Sequence, residues 1–416
     1  MQWTVACLYV LTFCLCTTIG TCAAIPDLLM HLLTSLVLLL EIIIITRTRI
    51  VKISLSQGLW LGFFGIAFIS IIISTSPFSL ITLNLLAAML FLVVPFRDFY
   101  CFILAERILI IFALFSALGV YVQIMIPSLW APIYQFLTVQ GQYLNAENLR
   151  YSITVGGYSY LSGFFYNAGF TATYLVNGII ATMISRTQRR WKIIIITVLS
   201  VALILTGKRG QVFALLVALA VAYIFTSASI SKSLKRVIII VGTIMLFYAV
   251  GYYIYNNSSH LSNSVNRVLA YIYGGNTSDS GRESMADQAI SLFSLNPLIG
   301  VGWRQLESLI GSEPHNSYVQ ILTETGALGL LSFIISLTVS LLNSIGHFKR
   351  LIGNFGFNKR IRNFYYCIIC FEVYFIVLSF VENTFCNIEF YYMLFFILAL
   401  DNLLYRDEFA YIQIEN

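Results

Sequence analysis

The sequence predicts an all-α fold: a polytopic transmembrane helical bundle of about twelve spans, with two long extracytoplasmic loops. Three observations carry this. Of the 416 residues, 59% are hydrophobic and 10% charged, against about 25% charged in a soluble domain, so there are too few charges to cover a water-facing surface. Apolar runs of about 18 residues or more recur along the whole chain. The basic residues sit in short loops between those runs, mostly on one side.

Residues 2–23, around the first run at 3–22, end near "TCAA", as a cleavable signal would, but no positive charge precedes the run. A signal peptide needs that charge, so we read a first span. Spans at 28–46, 55–74, 79–95 and 99–122 complete an N-terminal set within residues 1–126. Pro127, Trp130 and Pro132 open a long loop, 127–163, expected to lie partly on the membrane interface. Within 164–255 come spans at 164–184, 191–206, 211–226 and 237–255. The tight turn "TGKRGQ" at 206–211 joins two of them. That pair is short for a bilayer, so tilted helices or a count lower by two is the alternative. A second long loop, 256–315, is polar at both ends with a helix-like middle. Spans at 316–344, 364–381 and 390–404 close the chain within 316–416. No internal repeat is evident.

Placing the N-terminus in the cytoplasm puts seventeen of the 24 basic residues on the cytoplasmic side, with Arg107 inside a span. Both termini are then cytoplasmic. The net charge of +6 orients helices and does not point to nucleic acid. Six basic residues go against the bias: Arg150, Lys208, Arg209, Arg267, Arg282 and Arg304. They cluster in the two long loops and the 206–211 turn. Loops of this length are uncommon in a bundle unless they carry function.

Arginine is permanently charged and bidentate toward phosphate oxygens. Lys208 and Arg209 precede a span whose first amides add a positive dipole end, so the turn suits an anion at headgroup depth. An anchor gripping ordinary lipid phosphates explains the same residues. "GKRG" lacks the upstream glycine and the Ser/Thr of a nucleotide-binding P-loop. Arg282 and Arg304 complete such a pocket, or else pair with Glu283, Asp287 or Glu307. His315 opens the span at 316–344 and can exchange a proton near neutral pH. There it serves as general base toward a sugar hydroxyl or bonds locally. Asn316 either orients the imidazole or caps the helix. "GALGLL" supplies small residues for close helix packing. Glu324 and Glu372 fall inside spans, where carboxylates face the bundle interior as a proton path or as partners of buried polar groups. Tyr158, Tyr160, Phe164, Phe165, Tyr166 and Trp303 are expected in the interfacial belt, with stacking on sugar rings or a prenyl tail as the alternative. Of the eight cysteines, Cys367 and Cys370 have CxxC spacing without a second pair or a nearby histidine, and are read as packing residues.

Four stretches together resemble the O-antigen ligase and polymerase superfamily of bacterial membrane glycosyltransferases. They are Arg150 followed by "SGFFYNAGFTATYL", then "LTGKRGQVFALL", "GRESMADQAISLFSLNPLIGVGW" and "HNSYVQILTETGALGLLSF". The resemblance runs from about residue 150 to 335. One departure is the lack of a tryptophan shortly after Arg282. The resemblance implies a GT-C-like enzyme of the bacterial cytoplasmic membrane that works on its outer face without metal or cofactor. The implied substrate is an undecaprenyl-diphosphate-linked glycan, and flippase and chain-length regulator proteins are the implied partners. It assigns catalysis to His315, Arg209 and Arg282, and substrate binding to Lys208, Arg150, Arg304 and Asn316. Polymerase is the expectation, from the size and divergence of the chain. A ligase shares the whole pattern. A transporter or flippase of lipid-linked glycan is the reading of another class, but it should show matching halves with broken helices, and no such symmetry is visible.

Overall fold

The computed structural model describes residues 27–48, 53–73, 80–93, 99–137, 161–165, 168–185, 187–227, 231–239, 280–311, 314–355 and 359–382, with residues 394, 398 and 401. The expected span at 3–22, most of 237–255 and 390–404, both termini, Arg150, Arg267, Tyr158, Tyr160 and Tyr166 lie outside the described residues.

Among the described residues the architecture is all-helical, without a strand. The helices are α1 (Asp27–Thr48), α2 (Leu55–Ile73), α3 (Leu80–Val93), α4 (Phe99–Met125), α5 (Pro127–Leu137), α6 (Ala168–Ile184), α7 (Arg189–Leu205) and α8 (Arg209–Phe225). After α9 (231–239) come α10 (Ser280–Leu295), α11 (Leu306–Ile310), α12 (Ser317–Phe355) and α13 (Lys359–Leu378). Among the described residues, four helical stretches are long and apolar enough to cross a membrane: Leu55–Ile73, Glu106–Met125, Ser317–Gly353 and Ile361–Leu378. α6 and α8 are apolar but shorter. Exposed leucines and isoleucines such as Leu118, Ile204, Leu216 and Leu342 face outward, as lipid-facing positions should.

α6 is the centre of one half of the bundle. It is buried from Thr171 to Thr182, the pattern of a helix enclosed on all sides, and it contacts α4, α7, α8 and α13. Cys367 and Cys370 on α13 are buried packing residues, with the Cys367 thiol 3.6 Å from the Ile180 carbonyl. The other half pairs α2 with α12. There Trp60 is fully buried, donates from its indole to Ser340 Oγ at 3.1 Å, and packs against Phe63, Phe64 and Phe333. The aromatic residues expected at the interface differ. Phe164, Phe165 and Trp303 are buried, because Phe165 packs on Tyr174 and Trp303 on Phe63.

The largest departure from the expected unbroken span at 316–344 lies in α12. Tyr318 and Phe333 are fifteen residues apart, which is about 22 Å along a straight helix. Their ring centroids lie 5.7 Å apart. The helix folds back at Gly326, whose backbone is non-helical at φ 70°, ψ −172°. A short arm, 317–325, therefore rises alongside the start of a long arm, 327–355. Only glycine adopts such a conformation routinely.

The break exposes backbone groups that lipid cannot satisfy, and the segment after α10 satisfies them. Pro297 O accepts from Ala327 N at 2.8 Å and Leu298 O from Leu328 N at 3.3 Å. Val301 N donates to Thr323 O at 2.9 Å, and Gly302 N to Glu324 O at 3.0 Å. The approach is so close that a Cβ on Gly300 would lie 2.4 Å from the Glu324 carbonyl carbon, and one on Gly326 2.3 Å from that of Leu298. The "P-x-x-G-x-G" stretch is thus the strap over a broken helix. Gly326, read in sequence as part of a small-residue packing surface, is the break itself.

Candidate functional site

The Thr206–Lys208 turn joins α7 to α8. Thr206 stabilises it, donating from Oγ1 to Leu203 O at 2.6 Å and accepting from Lys208 N at 3.3 Å. No side chain caps the start of α8. Arg209 is exposed there. One turn deeper, buried Gln211 donates to Thr173 Oγ1 at 3.2 Å and accepts from the Tyr374 hydroxyl. α6, α8 and α13 are thus tied together directly beneath the two cations. Gly210 sits against the turn that follows α13, where a Cβ would come within 2.9 Å of Val381 Cγ2. This contact brings the next residue, Glu382, to Lys208.

Glu382 is the centre of the arrangement. Its Oε1 lies 3.4 Å from Lys208 Nζ and its Oε2 3.8 Å from His315 Nδ1. Its backbone carbonyl accepts from Ser317 Oγ at 2.8 Å, while Ser317 N donates to Ser379 O at 2.9 Å. Burial pushes the Glu382 carboxyl up, but the His315 hydrogen-bonding group and the Lys208 charge outweigh it and hold the carboxyl below its usual range. His315 has a left-handed backbone, φ 49°, uncommon for a residue with a side chain although histidine is among those enriched there. Asn316 Oδ1 accepts from Tyr318 N at 3.0 Å and Val319 N at 3.2 Å, so its carbonyl oxygen is the helix cap of the short arm.

Glu324 closes that arm. Its Oε2 accepts from Arg304 N at 2.9 Å, and its Oε1 from Leu306 N at 3.3 Å and Gln320 Nε2 at 3.0 Å. Its backbone carbonyl also accepts from Ser70 Oγ at 2.6 Å. Glu324 is therefore a partner of buried polar groups, the second of the two roles open to it in sequence. Arg304 has a positive φ of 62°, held by the bond to Glu324, and its charge acts on the same carboxylate. Arg282 lies on the first turn of α10. That helix packs against α12, with Thr323 Oγ1 donating to Ala289 O at 3.1 Å.

The structure thus brings Lys208 and His315 to one carboxylate, sets Arg209 beside Lys208, and ties Arg304 and the α10 helix to the arm that His315 opens. Arg150 is outside the described residues. Sequence reading missed Glu382. The available signal was a lone acid four residues past the end of α13, on the side where basic residues go against the bias.

Residues 193–334 match the family model described as O-antigen ligase, Wzy_C. No curated protein matches the chain. The matched region runs from α7 into the long arm of α12 and holds Lys208, Arg209, Arg282, Arg304, His315 and Asn316, whereas Glu382 lies beyond it. The apolar helices and this match together point to an integral membrane protein. The chain carries an O-antigen ligase-like domain at residues 193–334, consistent with the O-antigen ligase and polymerase superfamily.

Proposed function

We propose that the protein is a polysaccharide polymerase of the bacterial cytoplasmic membrane. It transfers a growing glycan from undecaprenyl diphosphate to a hydroxyl of a new lipid-linked repeat unit on the outer face. The observation that supports this best is the meeting of the Lys208–Arg209 turn and His315 at one mouth, joined through Glu382. Cations there face a leaving group whose negative charge grows as the glycosidic bond breaks. Fixed cations stabilise that developing charge more than the ground state. Arg209 and Arg282 hold the diphosphate in this reading, with Lys208, Arg150 and Arg304 around it. His315 accepts the proton of the acceptor hydroxyl, and Asn316 fixes the arm behind it. A flippase that supplies the lipid-linked units and a chain-length regulator are the expected partners.

A strain lacking the gene, complemented with variants, tests the reading. Arg209→Ala should leave single-repeat products while the protein still inserts in the membrane. Full-length polymer in that strain removes Arg209 from the site. His315→Ala should lower the transfer rate by at least ~100-fold, the loss expected for a general base. A ligase is the second reading, favoured by the description of the matched family. Its loss accumulates polymer on the lipid carrier instead of single repeats.

A further inference from the structure

We propose that Glu382 is a positioning residue: its carboxylate holds the His315 imidazole through Nδ1, in the tautomer that leaves Nε2 free to take the acceptor's proton. The inference rests on the transferase reading of the same site.

Four contacts carry it. The carboxylate reaches His315 Nδ1 at 3.8 Å and Lys208 Nζ at 3.4 Å. The segment bearing Glu382 is also bound twice by Ser317, two residues after the histidine. The separation of carboxylate and imidazole is therefore set by backbone ties as well as by the side-chain pair. At 3.8 Å the pair is a few tenths of an ångström beyond a hydrogen bond, and such contacts commonly tighten only when substrate is bound. The side chains are 38% and 21% exposed for His315 and Glu382. Ion pairs this open add little to stability, so stability alone does not account for the left-handed backbone at His315. Strain of that kind persists where the surroundings over-determine a conformation.

Glu382 is itself a poor proton acceptor at neutral pH, because His315 and Lys208 hold its carboxyl below the usual range. A base works best with a pKa near the operating pH. In the transfer step the acceptor oxygen bonds the anomeric carbon as the bond to the diphosphate oxygen breaks, and that electron pair leaves with the diphosphate. The hydroxyl proton goes to Nε2, while the proton on Nδ1 stays between the ring and Glu382. Solvent then takes the Nε2 proton. Orienting a ligand or a base through its second ring nitrogen is a general use of carboxylate–histidine pairs.

Glu382→Gln separates this role from a merely structural one. Lys208 requires an oxygen, so the amide nitrogen turns to His315. Nδ1 must then accept, and the proton moves to Nε2. Full-length protein in nanodiscs, carrying 15N-histidine, reads the tautomer at a pH where the imidazole is neutral, with His315→Gln assigning the signal. The expected result is an Nδ1–H imidazole in the wild type and Nε2–H in Glu382→Gln. With a purified lipid-linked repeat unit as substrate, kcat should fall about 100-fold while the donor KM holds. Glu382→Asp should keep the wild-type tautomer and recover part of kcat. An unchanged tautomer in Glu382→Gln, or an unchanged kcat, overturns the proposal. Should Glu382→Gln not fold, Glu382→Asp decides, and wild-type kcat together with an Nε2–H imidazole in that variant overturns it. A wild-type protein that transfers no glycan defeats the transferase reading, while the 15N spectra still judge the pairing.

Discussion

The two ends of the α12–α13 pair are built differently. Away from the strap, the long arm of α12 is continuous and its described polar contacts to other elements are side-chain pairs. His347 Nδ1 meets Asp401 at 2.9 Å and Ser344 Oγ donates to Glu372 at 2.9 Å. At the other end each carboxylate binds several elements. Glu324 collects donors from the strap and the short arm on its carboxylate, and from α2 on its backbone carbonyl. Glu382 joins the α7–α8 turn to His315. The backbone departs from helix there as well, at Gly326, Arg304 and His315. Irregular backbone at membrane depth survives only where protein encloses it. The strap and the two carboxylates supply that enclosure, and the matched family region contains all of it except Glu382 and Ser70.

The sharpest way to break the comparison is to place the same methyl group at both ends. Gly326→Ala puts a Cβ 2.3 Å from the Leu298 carbonyl carbon on a backbone that L-residues avoid. Strain of about 1–3 kcal/mol adds to an overpacking cost of about 1–3 kcal/mol. Membrane yield should collapse, or the melting temperature in detergent should fall by well over the scatter of replicates. Gly346→Ala, in the long arm with nothing within 4 Å, should be neutral or slightly stabilising, by up to about 1 kcal/mol of helix propensity. Equal melting temperatures for the two variants would remove the distinction between the ends.

A smaller effect separates the carboxylates. Glu324→Ala leaves the Arg304 and Leu306 amides without their acceptor, at about 1–3 kcal/mol for each buried group. The strap should loosen, and hydrogen exchange at residues 300–306 should rise. Glu372→Gln keeps the shape of a buried carboxyl whose Oε2 has no partner among the described residues. It should change the melting temperature little, or raise it. A larger loss from Glu372→Gln than from Glu324→Ala would reverse the ranking.

How much of this was legible in the sequence follows the same division. Nine of the described helices overlie expected spans, because each span is a local apolar run bounded by charge. The Asn316 cap was also readable, since a cap and its amides are neighbours in sequence. The fold at Gly326 was not. "TETGALGLL" has the composition of a continuous helix, and the strap that stabilises the break lies some 25 residues earlier. Glu382 was hidden for the same reason. Its partners are residues 208 and 315, and no spacing pattern links such distant positions.

The subtlest test concerns acid. Glu382 binds a proton less readily in the folded protein than in the unfolded chain, since Lys208 and His315 together outweigh its burial. A carboxyl lowered in this way contributes stability that is fully present above the ordinary carboxylate pKa of about 4.3 and is lost as pH falls through the folded value. The wild type should therefore lose melting temperature faster than Glu382→Gln does as the pH falls below about 4. At pH 7 the wild type should melt higher than the variant, which lacks the contribution at every pH, and the two curves should converge in acid. The other carboxylates are common to both proteins and cancel in the difference, so the convergence isolates Glu382. Parallel curves would mean that the Lys208–Glu382–His315 contacts are too weakly formed in solution to distinguish one end of the pair from the other.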